Sequence, residues 1–172
     1  MQKVSSAATS RRQVPAMITS GRFDQYGGVN LDVGGGAFEE ATQYLKQHHK
    51  VKNLVLDPYN RTAKHNAAVV ARVRRKKADS ASLFNVLNVI GEKQARLEAL
   101  RTAKKHTKKG GPVYISVYIR EGTNRKVRTR DGIQLNRTVN AYLPEVKSVF
   151  DEVVVFGSGK ARSGTGFMIG VV

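Results

Sequence analysis

The chain contains no cysteine, no long apolar run and no metal-ligand pattern, and each absence removes a class of chemistry. Without cysteine there is no disulfide, no thiolate zinc site and no cysteine nucleophile. No apolar run approaches the roughly 20 residues that span a bilayer, so we expect no membrane partner. We also expect no metal site, because no histidine has a ligand-like spacing to a second histidine or a carboxylate. The four histidines are His48, His49, His65 and His106.

Acidic residues are scarce. The 172-residue chain has 13 Asp and Glu against 30 Lys and Arg, which gives a formal net charge of +17. Solubility alone requires far less charge. The excess favours a polyanion partner, either nucleic acid or an anionic surface, and the alternative is a generally basic protein in an RNA-rich cytoplasm. We expect a cytoplasmic protein with nucleic acid as its partner.

The length suits one domain with a full-sized core. Residues 1–22 contain Ser and Arg, lack acids and show no clear period, so they predict a basic N-terminal arm. The alternatives are a mitochondrial-type presequence and, favoured for residues 1–12, a frayed terminus. Residues 23–172 are then a single domain in which strands and helices alternate from Val29 onward. This alternation predicts a mainly parallel α/β sheet with helices on both faces and an antiparallel C-terminal strand.

Apolar periodicity sets the expected elements. Strands are predicted at 29–33, 53–56, 82–87, 112–119, 152–156 and 167–172. Helices are predicted at 37–48, 62–76 and 92–107. A helical face returns from Val139, and Pro144 is expected to restart the helix as a residue of its first turn. Residues 120–137 are polar and predict a mobile loop or an irregular hairpin.

Two strand ends carry acids in register with a glycine cluster. Asp32 precedes Gly34, Gly35 and Gly36, and Asp57 closes the next strand. Glycines allow a sharp turn and close approach of a ligand, and a strand-end carboxylate can accept both hydroxyls of a ribose. The pattern indicates a nucleoside-containing cofactor across the ends of two parallel strands. The alternatives are a tight turn without ligand, a turn-forming role for Asp57 beside Pro58, and bonds from Asp32 to the glycine loop.

In this order the motifs resemble the class I S-adenosylmethionine-dependent methyltransferases over residues 29–172. The resemblance rests on the segment from Asp32 to Gly36, on Asp57, on the segments 84–90 and 109–114, and on the C-terminal hairpin. It implies a Rossmann-like fold and S-adenosylmethionine as cofactor. The implied cofactor-binding residues are Asp32, Gly34, Gly35, Gly36 and Asp57.

The chain departs from that family at two places. Phe38 stands where the family has a third glycine. Only one helix lies between Asp57 and Ser82, so the core is shortened after the second strand, and the strand whose acid contacts adenine is missing. Asp79 is the candidate to replace that acid. Otherwise the adenine is left partly exposed, or is covered by a partner subunit or a second copy of the chain.

The acceptor side offers weaker signals. Asn85 and Asn88 are candidates for the reaction site, or they cap the helix that follows. They lack the Pro-Pro-aromatic of base-methylating relatives. Cations in the 120–137 stretch are expected to contact nucleic-acid phosphates, whereas the runs around 72–77 and 93–109 are as well explained as solvated helix faces. The expected contacts are Arg120, Arg125, Lys126, Arg128 and Arg130.

The sequence therefore predicts an S-adenosylmethionine-dependent methyltransferase that acts on or alongside nucleic acid. The alternative is a catalytically inactive methyltransferase-like protein that serves as a basic nucleic-acid-binding or structural subunit. A small-molecule methyltransferase fits the missing Pro-Pro-aromatic but leaves the net charge of +17 without a role.

Overall fold

The computed structural model describes residues 13–119, 123–129, 132–157 and 164–172. The strands are β1 (Val29–Val33), β2 (Lys52–Leu56), β3 (Ser80–Phe84), β4 (Pro112–Ile119), β5 (Lys126–Thr129), β6 (Gly132–Leu135), β7 (Glu152–Phe156) and β8 (Gly164–Val171). The helices are α1 (Ala16–Thr19), α2 (Glu40–His49), α3 (Ala63–Arg75), α4 (Lys93–His106) and α5 (Val139–Lys147).

Six strands form the main sheet in the order β2-β1-β3-β4-β8-β7. The pairs among β2, β1, β3 and β4 are parallel, whereas β8 is antiparallel to both β4 and β7. This confirms the predicted α/β fold with a mainly parallel sheet and an antiparallel C-terminal strand pair. Because the parallel strands run in one direction, their carboxyl ends share one edge of the sheet and their amino ends share the opposite edge.

Alternate residues of each strand face opposite sides of the sheet, and the two sides differ in chemistry. One side is apolar: Leu31, Leu83 and Ile115 pack in one core cluster with side chains from α3, α4 and α5. The other side is polar around Asn30 and Asp32, and apolar around Tyr114. There a second cluster joins Tyr114 to α2 and the N-terminal segment through Met17, Ile18, Phe23, Leu45 and Val51.

The N-terminal segment is anchored where the structure describes it. Met17 and Ile18 of α1 are buried, and the Tyr114 hydroxyl donates a hydrogen bond to Asp24. Residues 1–12 lie outside the described residues. The division into an arm at 1–22 and a domain at 23–172 stays a prediction.

Several element boundaries differ from expectation. α2 begins at Glu40 rather than at 37, because residues 36–39 are not helical and the carbonyls of Gly36 and Phe38 accept hydrogen bonds from Arg61. β3 begins at Ser80, two positions earlier than predicted. The prediction for Pro144 was wrong: α5 begins at Val139, so the proline lies inside the helix and not in its first turn. The described part of 120–137 contains a hairpin, β5 paired with β6, which is one of the two predicted alternatives.

Candidate functional site

The glycine turn follows β1 at the carboxyl edge of the sheet. Gly34 and Gly36 both have a φ of 78°, a conformation that disfavours any residue with a Cβ. The Gly34 amide donates to the carbonyl of Leu56 across 2.8 Å. A Cβ at Gly34 would lie 2.7 Å from a methyl of Val86, and one at Gly35 would lie 2.4 Å from Asp32 Oδ2. The turn is therefore packed directly onto β2, Asp32 and the segment after β3.

Asp57 lies beside this turn, where the sequence predicted it, and both of its carboxylate oxygens are bonded. Oδ1 accepts from the amides of Tyr59 and Asn60 at 2.9 Å each. Oδ2 accepts from the Gly36 amide at 2.9 Å and from Asn60 Nδ2 at 3.1 Å. A carboxylate has about four acceptor positions, so Asp57 is saturated by the protein itself. The structure brings the acid to the expected place and gives it the turn-forming bonds of the alternative interpretation.

Arg61, in the segment after β2, also bonds to the segment that follows β1. It was not among the predicted site residues. Its Nε donates to the carbonyl of Gly36 at 2.8 Å and Nη2 donates to that of Phe38 at 3.3 Å. Nη1 forms an ion pair with Glu39. No local pattern marks Arg61, because its partners lie more than 20 residues away. Phe38 is half-buried and belongs to neither core cluster of the described residues.

Asp32 is buried beneath the turn in a network of polar side chains. Its Oδ1 accepts from the Ser82 hydroxyl at 2.8 Å and its Oδ2 accepts from Asn53 Nδ2 at 3.4 Å. Asn53 also bonds to Asn30 at 2.7 Å. Burial raises the pKa of Asp32 to about 6, and the two hydrogen bonds only partly oppose it. The Asp32 carboxyl therefore changes charge close to neutral pH, and a cationic ligand beside it would stabilise its charged form.

The segment after β3 carries the two asparagines predicted near the reaction site. Asn85 is exposed with a φ of 58°, and its amide donates to the carbonyl of Ser116 at 2.9 Å. Asn88 is buried: its Nδ2 donates to Gln134 at 3.2 Å, and its carbonyl accepts from the Leu135 amide at 2.7 Å. Asn85 thus stays at the open edge, whereas Asn88 joins the β5–β6 hairpin to the sheet.

The hairpin brings three of the predicted nucleic-acid contacts to the carboxyl edge of the sheet. Arg125, Lys126 and Arg128 are exposed, and Lys126 approaches Glu92 at 3.8 Å. Arg120 and Arg130 lie outside the described residues. The structure keeps the three described cations at the carboxyl edge, because Gln134 of the hairpin donates to the carbonyl of Tyr118 at 3.2 Å.

Asp79 is not brought to this site. It precedes β3, so it lies at the amino edge of the sheet, where it accepts from the Val29 amide at 2.8 Å and pairs with Lys108. The hydrogen bond from Lys108 is the main reason that the pKa of Asp79 is lowered. Because the parallel strands run in one direction, Asp79 lies at the starts of the strands, whereas the glycine turn and Asp57 lie at their ends.

Asn136 is a further polar residue that the sequence did not reveal. It is fully buried just after β6, and neither polar atom of its side chain has a partner among the described residues. Within the same residues, no group of three or more histidines and carboxylates could hold a metal ion. No helix in the described ranges is both long and apolar enough to cross a bilayer.

Comparisons with known proteins identify the architecture. No family model and no curated protein sequence matches the chain. The methyltransferase SibL superposes with a TM-score of 0.63 at 16% identity, over 96% of this chain and 55% of its own. A methyltransferase from Clostridium acetobutylicum gives 0.60 at 10% identity, over 96% and 94% of the two chains. The chain has the class I S-adenosylmethionine-dependent methyltransferase fold.

A third match bears on the cofactor of that fold. The 1,6-didemethyltoxoflavin-N1-methyltransferase of Burkholderia thailandensis, solved with S-adenosylhomocysteine, gives a TM-score of 0.58 at 17% identity over 90% of this chain and 74% of its own. At such identities the likeness is one of fold. The substrates of these methyltransferases are therefore properties of those proteins.

Proposed function

We propose that this protein is an S-adenosylmethionine-dependent methyltransferase that acts on nucleic acid or on a substrate held by nucleic acid. The observation that carries the proposal is the contact between Gly34 and the segment after β3. Gly34 and Asn85 both have left-handed backbones, at the ends of adjacent strands, and Val86 fills the space that a Cβ on Gly34 would need. Asn85 is a non-glycine residue in the left-handed region, and such residues concentrate at functional sites.

The described residues fit the cofactor with one adjustment. The backbone of the glycine turn packs onto Asp32, and an ammonium group beside this carboxylate would offset the burial that raises its pKa. Asp57 fits a ribose only after one of its donors leaves. The Asn60 side chain is the replaceable donor, because the others are backbone amides of the turns. When bound, S-adenosylmethionine supplies an electrophilic methyl group.

The chain's own residues then align the acceptor. Asn85 is exposed at the edge, so its amide can donate to or accept from an acceptor group beside the methyl group. The hairpin holds Arg125 and Arg128 on the same edge, where their guanidinium groups can neutralise phosphates. Methyl transfer needs mostly alignment, so a strong general base is not required for a good nucleophile.

The second candidate is a methyltransferase-like protein that binds nucleic acid without catalysis. The saturation of Asp57 favours it, because an acid bonded by four donors of its own chain has no acceptor position left for ribose. The two candidates differ in cofactor binding. A partner subunit or second copy over the adenine side is expected in the first, because β2 is the sheet's edge strand and no further strand covers it among the described residues.

Calorimetric titration with S-adenosylhomocysteine and a transfer assay with labelled S-adenosylmethionine test the proposal. Asn85→Gly keeps the left-handed backbone and removes only the amide, so we expect unchanged S-adenosylhomocysteine affinity and a kcat about 10–100-fold lower. Asn124→Gly is the matched control, because Asn124 is exposed with the same φ of 58°. Only the Asn85 change should slow transfer. No binding by the unmodified protein at millimolar S-adenosylhomocysteine selects the second candidate.

A further inference from the structure

The helices α3 and α4 deliver two cationic stretches to the same place at the amino edge of the sheet. The first stretch ends α3 and contains Arg72, Arg74, Arg75, Lys76 and Lys77. The second ends α4 and contains Arg101, Lys104, Lys105, Lys108 and Lys109. Neither stretch contains an acid. We call the surface formed by residues 72–77 and 101–109 the amino-edge surface.

Backbone bonds fix the meeting of the two stretches. The Ala78 amide donates to the carbonyl of His106 at 2.8 Å, and the Lys108 amide donates to that of Ala78 at 2.9 Å. Ala78 and Thr107 thereby form a parallel bridge ahead of β3 and β4. Because this bridge lies at the starts of both strands, the residues just before it and just after it share one surface. Segments distant in sequence become neighbours only through the fold.

Most of these cations have no acidic partner among the described residues. Lys108 pairs with Asp79, and Lys104 approaches the exposed Asp151 at 3.9 Å. No ion pair is found there for the exposed side chains of Arg74, Arg75, Lys76, Lys77, Arg101, Lys105 and Lys109. Complementing a helix dipole stabilises by about 0.3–1 kcal/mol and involves only the last turn, so it does not account for Lys76, Lys77, Lys108 or Lys109, which lie outside the helices.

The buried imidazole of His106, in the second stretch, lies near cations of both stretches. His106 is 7% exposed, and its pKa is lowered first by burial and then by Lys105, Arg74 and Lys77. Lys105 belongs to the second stretch, whereas Arg74 and Lys77 belong to the first. The cations that lower this pKa come from both stretches, as expected when the Ala78–Thr107 bridge brings the two stretches to one edge.

An exposed aromatic residue lies on the same edge. Tyr26 is 72% exposed and stands three residues before β1. The adjacent Gly27 amide bonds to the carbonyl of His49 at the end of α2, and the Val29 amide bonds to Asp79, the partner of Lys108. A cationic surface beside an exposed aromatic ring is the arrangement by which proteins hold single-stranded nucleic acid, with phosphates on the cations and a base on the ring.

We propose that the amino-edge surface, with Tyr26, binds single-stranded nucleic acid at the opposite edge of the sheet from the methyltransferase site. Strands of five residues separate the two edges by roughly 17 Å, so a nucleotide held at the amino edge cannot be the methyl acceptor. The surface therefore anchors a different segment from the one that meets the β5–β6 hairpin. A membrane is disfavoured because no exposed Leu, Ile, Phe or Trp borders this edge among the described residues.

The experiment is a fluorescence-anisotropy titration of a labelled single strand of about 20 nucleotides and its duplex, at several salt concentrations and without cofactor. Replacing Arg74, Arg75 and Lys77 by Gln should flatten the slope of log affinity against log salt by about 2, since each phosphate contributes about −0.7 for single strands. The control replaces the exposed Lys64, at the opposite end of α3, by Gln, and should change the slope little. An equal effect per replaced cation in the two variants would overturn the proposal.

Two further readouts distinguish single-strand anchoring from general attraction to anions. Tyr26→Ala should weaken single-strand binding roughly tenfold and duplex binding far less, with Tyr59→Ala, at the other edge, as control. The proposal would be contradicted if Tyr26→Ala weakened binding of the single strand and of the duplex equally. It would also be contradicted if phosphatidylserine vesicles bound as tightly as the single strand and Tyr26→Ala left vesicle binding unchanged. The edge triple variant should retain the S-adenosylhomocysteine affinity of the unmodified protein. If the unmodified protein does not bind S-adenosylhomocysteine, the proposed function is contradicted. Single-strand binding at the amino edge can still be measured in that case.

Discussion

The Gly36 amide donates to the Asp57 carboxylate across 2.9 Å, so the glycine turn and the second strand-end acid are bonded to each other. The same carboxylate oxygen also accepts from the Asn60 side chain. Asp57 therefore holds two loops together before any ligand arrives. Whether it also holds a ribose depends on the exchange of one donor, and that exchange can be measured.

Asn60→Ala and Asp57→Asn separate the two roles of Asp57. If ribose replaces the Asn60 side chain, Asn60→Ala should tighten S-adenosylhomocysteine binding about 3–10-fold, because a competing hydrogen bond of about 1 kcal/mol is gone. Asp57→Asn should weaken binding at least tenfold, since one acceptor oxygen becomes a donor group. Calorimetry measures both affinities. Unfolding curves in which Asp57→Asn loses stability while neither variant changes affinity would remove Asp57 from the cofactor site.

Asp32 should make stability depend on pH with a defined sign. Its pKa is raised to about 6, so between about pH 4 and 6 the folded carboxyl keeps a proton that the unfolded chain has released. Its contribution to stability therefore falls as pH rises through this window. Asp32→Asn removes the effect. The free energy of unfolding of the variant, minus that of the unmodified protein, should therefore rise by about 2–3 kcal/mol from about pH 4 to pH 7. Urea unfolding at both pH values measures the difference, and a constant difference would contradict the burial argument.

Alanine substitutions at Gly34 and Gly110 distinguish the cost of a left-handed backbone from the cost of side-chain crowding. Both have positive φ, 78° and 76°, but a Cβ would meet Val86 at Gly34 and open space at Gly110. Gly110→Ala should cost about 1–2 kcal/mol, which is the left-handed penalty alone. Gly34→Ala should cost about 1–3 kcal/mol more, because the added methyl group overpacks the contact with Val86. Equal losses in thermal or urea unfolding would mean that Val86 moves aside freely.

Arg96 and Glu145 form a buried ion pair that joins α4 to α5. Arg96 Nε and Nη2 donate to the two carboxylate oxygens at 2.7 and 2.6 Å, and Nη1 donates to the carbonyls of Ile90 and Gly91. Removing one partner of such a pair typically costs about 3–5 kcal/mol. Arg96→Met should cost less than Glu145→Leu, because Arg137 still reaches Glu145 at 3.3 Å. Arg96 has no second acid among the described residues. Unfolding of both variants measures the asymmetry, and a reversed order would contradict it.

The elements could be predicted because their signals are local. The five apolar-rich residues of β1 and the eight of β4 were located with their observed bounds, since strand propensity and period are read within a few positions. The antiparallel β7–β8 pair followed from a short connection that cannot cross over. The glycine turn and Asp57 were placed at one edge because successive parallel strands end on the same side.

The residues alone reveal the order of strands and helices, the strand-end acids and the large excess of positive charge. What these features contact depends on the tertiary structure. It placed Asp79 at the amino edge and added Arg61, 25 positions from Gly36, to the glycine turn. It also brought residues 72–77 and 101–109 together through the Ala78–Thr107 bridge. The physical reason is that local propensity depends on neighbouring residues, whereas hydrogen-bond partners and charge surfaces depend on which distant segments the sheet aligns.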